Sequence, residues 1–394
     1  MTRATATTVA SRSIEGGGVL VAAAGMVCAL GYDAASACAA ARAGLSRAAV
    51  LPHYRARSGV EGDEEAIIGH AASLFTAGFE GEARLLRLLQ GALADLLAGA
   101  LDPALWLRRV GLYVGLPDPM RTAGGVALMS EPPAGAGEDD DPPEPEELAR
   151  RTPAAVTARL LDQALRLAHW PGAPMRRHLS TGGQCAGAEL IAAAANDIQQ
   201  RSVDVAVVLT VDSLLDEDTL TWLHHTGRLK CDAAPAGLQP GEAAVALALL
   251  PAQDAAAAPD EALRLIRLAF DSEDKAQIEG EVSSGEALAR VVDAALARPA
   301  DGAPWLFSDH NGEVYRANDF GCALTRLRAG HAGFAAPIVW YPALSFGDTG
   351  TCAAPLAIAM ALQARSRRYA PADSALVCCA ADGRGRAALL LQRL

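Results

Sequence analysis

Apolar positions along the chain fall into two rhythms, one of short unbroken runs and one of helical spacing. The run at 19–24, followed by Gly25, Met26 and then Leu30 and Gly31, leads into an Ala-rich stretch over 33–43, which predicts strand, turn and helix in that order. Leu85, Leu88, Leu89, Leu93, Leu96 and Leu97 recur at helical spacing, so residues 84–97 are expected to form an amphipathic helix, with a strand over 110–114 after it. A helix is predicted at 154–168, and the apolar run at 203–211 reads as a strand buried on both faces. The alternation then returns, with a helix over 286–298, strands at 305–308 and 338–341, and a helix over 355–365. A closing hairpin pairs 375–380 with 387–391 across Asp382, Gly383, Arg384 and Gly385. No residue-level repeat is evident, yet strands alternate with helices in both halves, which predicts an α/β protein with two similar sheets covered by helices and joined by right-handed crossovers.

Composition sharpens this picture. Hydrophobic residues make up 51% of the chain and aromatics only 5%, so the interior is expected to be built from Ala, Leu and Val in close helix-to-sheet contact. A length of 394 residues exceeds one ordinary core and suits a duplicated unit, divided at 1–250 and 251–394. The formal charge of −12, with no basic stripe, argues against nucleic acid as a partner. Part of that charge is local: Glu138, Asp139, Asp140, Asp141, Glu144, Glu146 and Glu147 lie among prolines in an insertion at about 131–150, read as a solvated loop. Eight scattered cysteines without CxxC spacing or a His/Cys cluster support neither a metal site nor a disulfide framework, and fit a reducing cytoplasm. The adjacent His224 and His225 lack a third ligand and read as the end of a helix. No signal-peptide core or bilayer-length apolar run is expected, so no membrane is assigned.

Several boxes carry a resemblance. The stretch 19–31 (VLVAAAGMVCALG) is similar to the opening strand and turn of the β-ketoacyl synthases. Residues 180–187 (STGGQCAG), an Ala-rich helix and 204–213 (DVAVVLTVDS) resemble that family's nucleophile elbow, helix and following strand. Residues 237–244 (GLQPGEAA) resemble its Pro-Gly-Glu box; 308–313 (SDHNGE) with Asn318 and Asp319 take the place of the segment with its first catalytic His; 346–357 (FGDTGTCAAPLA) resemble its third box. The resemblance spans nearly the whole chain and implies the duplicated thiolase-like fold, an αβαβα sandwich of two mixed sheets. It further implies a homodimer paired through the strand at 203–211, and acyl-CoA or acyl carrier protein as partners, with no bound cofactor.

In such enzymes a Cys at the elbow, its pKa lowered by a helix N-terminus, forms an acyl-enzyme, and two neutral donors stabilise an enolate. Family spacing puts Gln184 at the nucleophile position, and glutamine cannot be acylated. Cys185 takes that role only if the loop 181–183 slips by one residue; otherwise it is a small buried residue of the elbow helix. His310 is the histidine in a matching box, followed by a departing Asn311-Gly312-Glu313. Asp348 stands where the family has a neutral donor, and could donate only if protonated. The box's lysine has no counterpart. Two functions stay open: a non-condensing binding or adaptor protein, with a weak likeness over 308–317 to a thiolase-like group of bacterial secretion loci, or an acyltransferase, condensing enzyme or malonyl decarboxylase using Cys185 or Gln184 with His310.

Overall fold

A computed structural model describes residues 12–58, 63–121, 153–296 and 304–394. The acidic insertion at about 131–150 lies outside the described residues. Twelve strands and eight helices longer than one turn are described: β1 (Arg12–Cys28), α1 (Ala34–Arg42), β2 (Ala49–Ser58), β3 (Asp63–Gly69), α2 (Gly81–Ala98), β4 (Val110–Gly115), α3 (Pro153–Leu167), β5 (Arg176–Ser180), α4 (Ala186–Gln199), β6 (Val205–Ser213), α5 (Glu217–His225), β7 (Glu242–Pro251), β8 (Leu263–Ser272), α6 (Glu286–Leu296), β9 (Trp305–Ser308), α7 (Val314–Gly330), β10 (Ile338–Trp340), α8 (Ala353–Ser366), β11 (Ser374–Ala380) and β12 (Gly385–Arg393).

Two sets of five strands have the same topology. The order β5-β4-β6-β7-β1 repeats as β10-β9-β11-β12-β8, the third, second, fourth, fifth and first strand of each set. The directions repeat too: β4 runs parallel to β5 and β6 as β9 does to β10 and β11, while β7 and β12 are antiparallel to both neighbours. The two mixed sheets expected from the sequence are hydrogen-bonded into one, because β1 and β8 pair antiparallel, Val19 opposite Leu265.

The layers follow from strand periodicity, since alternate side chains point to opposite faces. Val205, Val207 and Leu209 pack under α2 and α3 on an outer face, whereas Ala206 and Val208 face α4 and α8 in the middle. Leu265, Phe307, Val377 and Leu389 close on the same central helices from the second set, and α6 with α7 covers Leu306, Leu376 and Ala388 outside. This is the αβαβα sandwich. The middle helices touch where small residues permit it: a Cβ on Gly187 would lie 2.4 Å from Pro355 Cδ.

Three expectations are corrected. Gly25 and Met26 do not turn the chain but lie within β1, paired with Ala246 and Val245. Gly25 is glycine because α2 crosses here, and a Cβ would sit 2.3 Å from Ala92 O and Leu96 N. Next to it Asp95 accepts the N–H groups of Met26 (2.8 Å) and Ala34 (2.9 Å), joining α2 to the start of α1. The strand at 203–211 cannot carry a dimer sheet, because β6 is paired with β4 on one side and β7 on the other; the edges of the described sheet are β5 and β10. Finally, a residue-level repeat exists at the starts of α4 and α8. Among the described residues, no helix is long and apolar enough to cross a membrane, and all eight cysteines are unpaired.

Candidate functional site

The repeat builds the site. After β5, Gly183 (φ +56°) starts a single 3-10 turn, Gly183–Cys185, that becomes α4; Gly350 (φ +50°) starts the matching turn Gly350–Cys352 before α8. Both read Gly-x-Cys-Ala, with Gln184 and Thr351 as the middle residue. Glycine is required at 350 twice over, by its left-handed φ and because a Cβ would fall 2.0 Å from Asp212 Oδ2. The thiols are used reciprocally. Cys185 donates to Gly385 O (3.4 Å) and Cys379 O (3.7 Å) of the second strand set, while Cys352 donates to Ala243 O (3.2 Å) on β7 of the first. Burial, reinforced by nearby Asp309, pushes the Cys185 thiol up to about 12. A thiol so placed is a protonated packing group rather than a thiolate at a helix N-terminus.

Gln184 faces elsewhere. It is buried, and its Nε2 points at Asp382 Oδ1, 3.4 Å away. Asp382, expected as a hairpin turn residue, is buried beneath the β11–β12 turn and collects two guanidiniums. Arg228 donates to both its oxygens at 2.9 Å, and Arg316 to Oδ1 at 2.7 Å. Burial alone would raise the Asp382 carboxyl; Arg228 and Arg316 override it and hold the group well below the usual carboxylate range. Arg228 also reaches Glu313 at 2.7 and 3.0 Å, and Arg316 reaches Asp309 at 3.1 Å. Asp309 caps the β11 end by accepting Ala380 N–H at 2.7 Å, yet burial, only partly opposed by Arg316, lifts it to about 6.

Asp348 is bound from two directions. Its Oδ2 accepts Asn311 Nδ2 at 2.6 Å and its Oδ1 accepts Gly350 N–H at 2.8 Å. Its backbone pairs with the Pro-Gly-Glu box through Gly241 N–H (2.9 Å) and Gln239 O (2.8 Å). In this arrangement the side chain is an acceptor, opposite in sense to a family donor. Asn311 also donates to Glu313 at 2.8 Å, so an unbroken chain of contacts runs from Gln184 through Asp382, Arg228, Glu313 and Asn311 to Asp348. His310 stands beside this chain, and among the described residues its side chain does not join it. Its ring is half-buried and edge-on to Tyr341 at 5.8 Å, its Nδ1 has no hydrogen-bond partner among the described residues, and burial and Arg316 lower its pKa while Glu313 opposes them. His224 and His225 end α5, as expected.

The structure therefore brings the boxes of Gln184, His310 and Asp348 together and turns Cys185 away. A second buried pair, Arg121 to Asp212 at 2.6 Å, adjoins the α8 turn, where Asp212 also accepts Thr351 N–H at 2.9 Å. Sequence reasoning missed Arg121, Arg228, Asp309, Glu313, Arg316 and Asp382. Arg121 and Arg228 lie outside every matching box, while Asp309, Glu313, Arg316 and Asp382 lie in polar or turn segments that read as loop surface. Space is scarce on one side of the site and ample on the other. A cavity of about 20 Å³ bounded by Ser308, Asp309, Asp348 and Cys378 has room for about one water. Arg228 and Glu313 line an open groove of about 790 Å³, with Trp222, Ile278, Val282 and Val314 along it.

No protein-family model matches the chain, and no curated protein is significantly similar to it. Solved structures do match. The ishigamide ketosynthase/chain length factor aligns over 96% of this chain and 100% of its own, at 18% identity and a TM-score of 0.63. A type II polyketide ketosynthase, solved with its acyl carrier protein and bound to the hexaketide, aligns over 95% and 99% at 14% identity and a TM-score of 0.72. The ketosynthase of module 6 of the bacillaene synthase from Bacillus subtilis 168 aligns over 95% of this chain and 72% of its own, at 12% identity and a TM-score of 0.66. The duplicated topology and these likenesses agree: the chain has the thiolase-like fold seen in the β-ketoacyl synthases.

Proposed function

We propose that this chain is a non-condensing relative of the ketosynthases, a binding or adaptor protein that keeps the scaffold and has given up acyl-enzyme chemistry. The observation that carries this reading is the elbow, where the amide of Gln184, the residue that family spacing puts at the nucleophile position, lies on Asp382, and the adjacent Cys185 thiol is buried against strand carbonyls. Condensation needs a thiolate and two donors aimed at an enolate. Asp348 instead accepts two N–H groups, and an acceptor there opposes the developing negative charge. The partners best suited to this scaffold are an acyl carrier protein, as in the complex of the similar type II ketosynthase, and a second copy joined through the β5 edge. A component of a bacterial secretion locus is a further adaptor partner in this reading.

Intact-mass analysis after incubation with acyl-CoA and with acyl carrier protein thioesters tests the proposal, with an active ketosynthase as positive control. We expect no acyl adduct. A stable adduct on Cys185 would overturn the reading.

A second reading, malonyl decarboxylation, draws support from the neutral Gln184 amide and the half-buried, unpartnered His310 Nδ1. It requires CO2 release from malonyl-carrier protein that is lost in His310→Ala.

A further inference from the structure

Two side chains link the groove to the elbow. Arg228 lines the groove and forks onto Asp382, and the same Asp382 oxygen faces Gln184 Nε2. Arg228 lies in the loop between α5 and β7, just after Gly227 (φ +66°), and binds the hairpin turn through Asp382 and the start of α7 through Glu313. Its guanidinium carbon also sits 5.3 Å from the Trp222 ring centre, and Trp222 is itself a groove residue.

None of these groups depends on Arg228 alone. With Arg228 turned outward, Asp382 would keep Arg316, and Glu313 would keep Asn311 and Gln277. The departing guanidinium would gain water while keeping the face of Trp222 within reach. A buried cation whose partners retain other donors can be released without stranding a bare charge, which is the usual barrier to breaking a buried pair.

We propose that Arg228 is a latch. It seals the groove-side approach to Gln184, and its release opens a continuous path from the 790 Å³ groove to the elbow. The proposal rests on Gln184 as the residue at the end of that path, but not on whether the protein is a catalyst.

The test introduces a thiol with Gln184→Cys and follows its alkylation by iodoacetamide with peptide-mapping mass spectrometry, alone and combined with Arg228→Ala. Cys352, buried beneath the other elbow, reports global unfolding in the same sample. The latch predicts that the introduced thiol is protected while Arg228 is present and reacts about tenfold faster or more without it, as Cys352 stays protected. Loss of a neighbouring cation raises a thiol's pKa and slows alkylation, so faster reaction cannot come from charge alone.

Equal rates in the two backgrounds, or rapid labelling with Arg228 in place, would overturn the latch. Should Arg228→Ala also expose Cys352, the comparison is made with Arg228→Gln, which keeps hydrogen bonding but not the fork, and the same outcomes apply. Acylation of Cys185, which decides the proposed function, is read at a different residue and with a different reagent.

Discussion

Replacing Arg228 by Met gives the sharpest energetic test of the buried network. The side chain is 10% exposed and donates four hydrogen bonds, two to Glu313 and two to Asp382, at 2.7 to 3.0 Å. Methionine keeps most of the aliphatic volume, so the loss is electrostatic rather than steric. Breaking a buried pair from one side typically costs about 3–5 kcal/mol, because a charge is left without compensation. Here Asp382 keeps Arg316 and Gln184, and Glu313 keeps Asn311 and Gln277, which places the expected loss at or just below the low end of that range, about 2–3 kcal/mol. The assay is denaturant unfolding at pH 7 followed by circular dichroism, for Arg228→Met, Glu313→Gln and the pair. If desolvated charge is the cause, neutralising Glu313 in the Arg228→Met background should recover about 1 kcal/mol or more. A loss below about 1 kcal/mol, or a double variant no more stable than Arg228→Met, would refute the account of a tightly coupled buried network.

Asp309 titrates near 6 in the folded protein against 3.8 for the free group, so the folded state binds the extra proton between those values. Stability should therefore fall as pH rises from about 4 to 6, by on the order of 3 kcal/mol from this residue, and Asp309→Asn should flatten that slope; an unchanged slope would rule Asp309 out as its source. Gly25→Ala places a methyl against Ala92 O and Leu96 N and should cost about 3 kcal/mol in thermal or chemical unfolding, whereas a cost below about 0.5 would mean α2 moves freely over β1. Iodoacetamide at mildly alkaline pH should modify the partly exposed Cys322 well before the buried Cys185, and the reverse order would show a reactive elbow thiol. Light scattering should report a dimer that Leu179→Pro, in the β5 edge, converts to monomer; a dimer that survives it is not built on that edge.

Much of the scaffold was legible because burial and periodicity coincide. The strand expected at 203–211 is β6, Val205–Ser213, buried along its whole length, and the leucine series from Leu85 to Leu97 became α2. Long α7 escaped notice for the opposite reason. Its buried face runs through Arg316, Asp319, Phe320, Ala323 and Leu327, so two of the positions that should announce a core helix are charged. The same cause hid the site. Arg228, Arg316 and Asp382 satisfy one another across 154 and 66 residues of chain, and pairing at that separation leaves no local signature. The boxes located Gln184, His310 and Asp348 together because backbone turns fix them. They left Cys185 open between a nucleophile and a buried elbow residue, and it is the latter, since a rotation of about 120° per residue in the 3-10 turn separates two neighbours onto different faces.

The reciprocal thiols bear on how the molecule could come apart. Each central helix is anchored by its cysteine to strands of the other set, so neither set owns its half of the interior. A chain cut between Pro251 and Leu263 would yield two pieces that each expose the sheet face the other's helix should cover. Such pieces should regain structure only when mixed, and the intact protein should melt in a calorimeter as one endotherm, its two repeats sharing one cooperative interior.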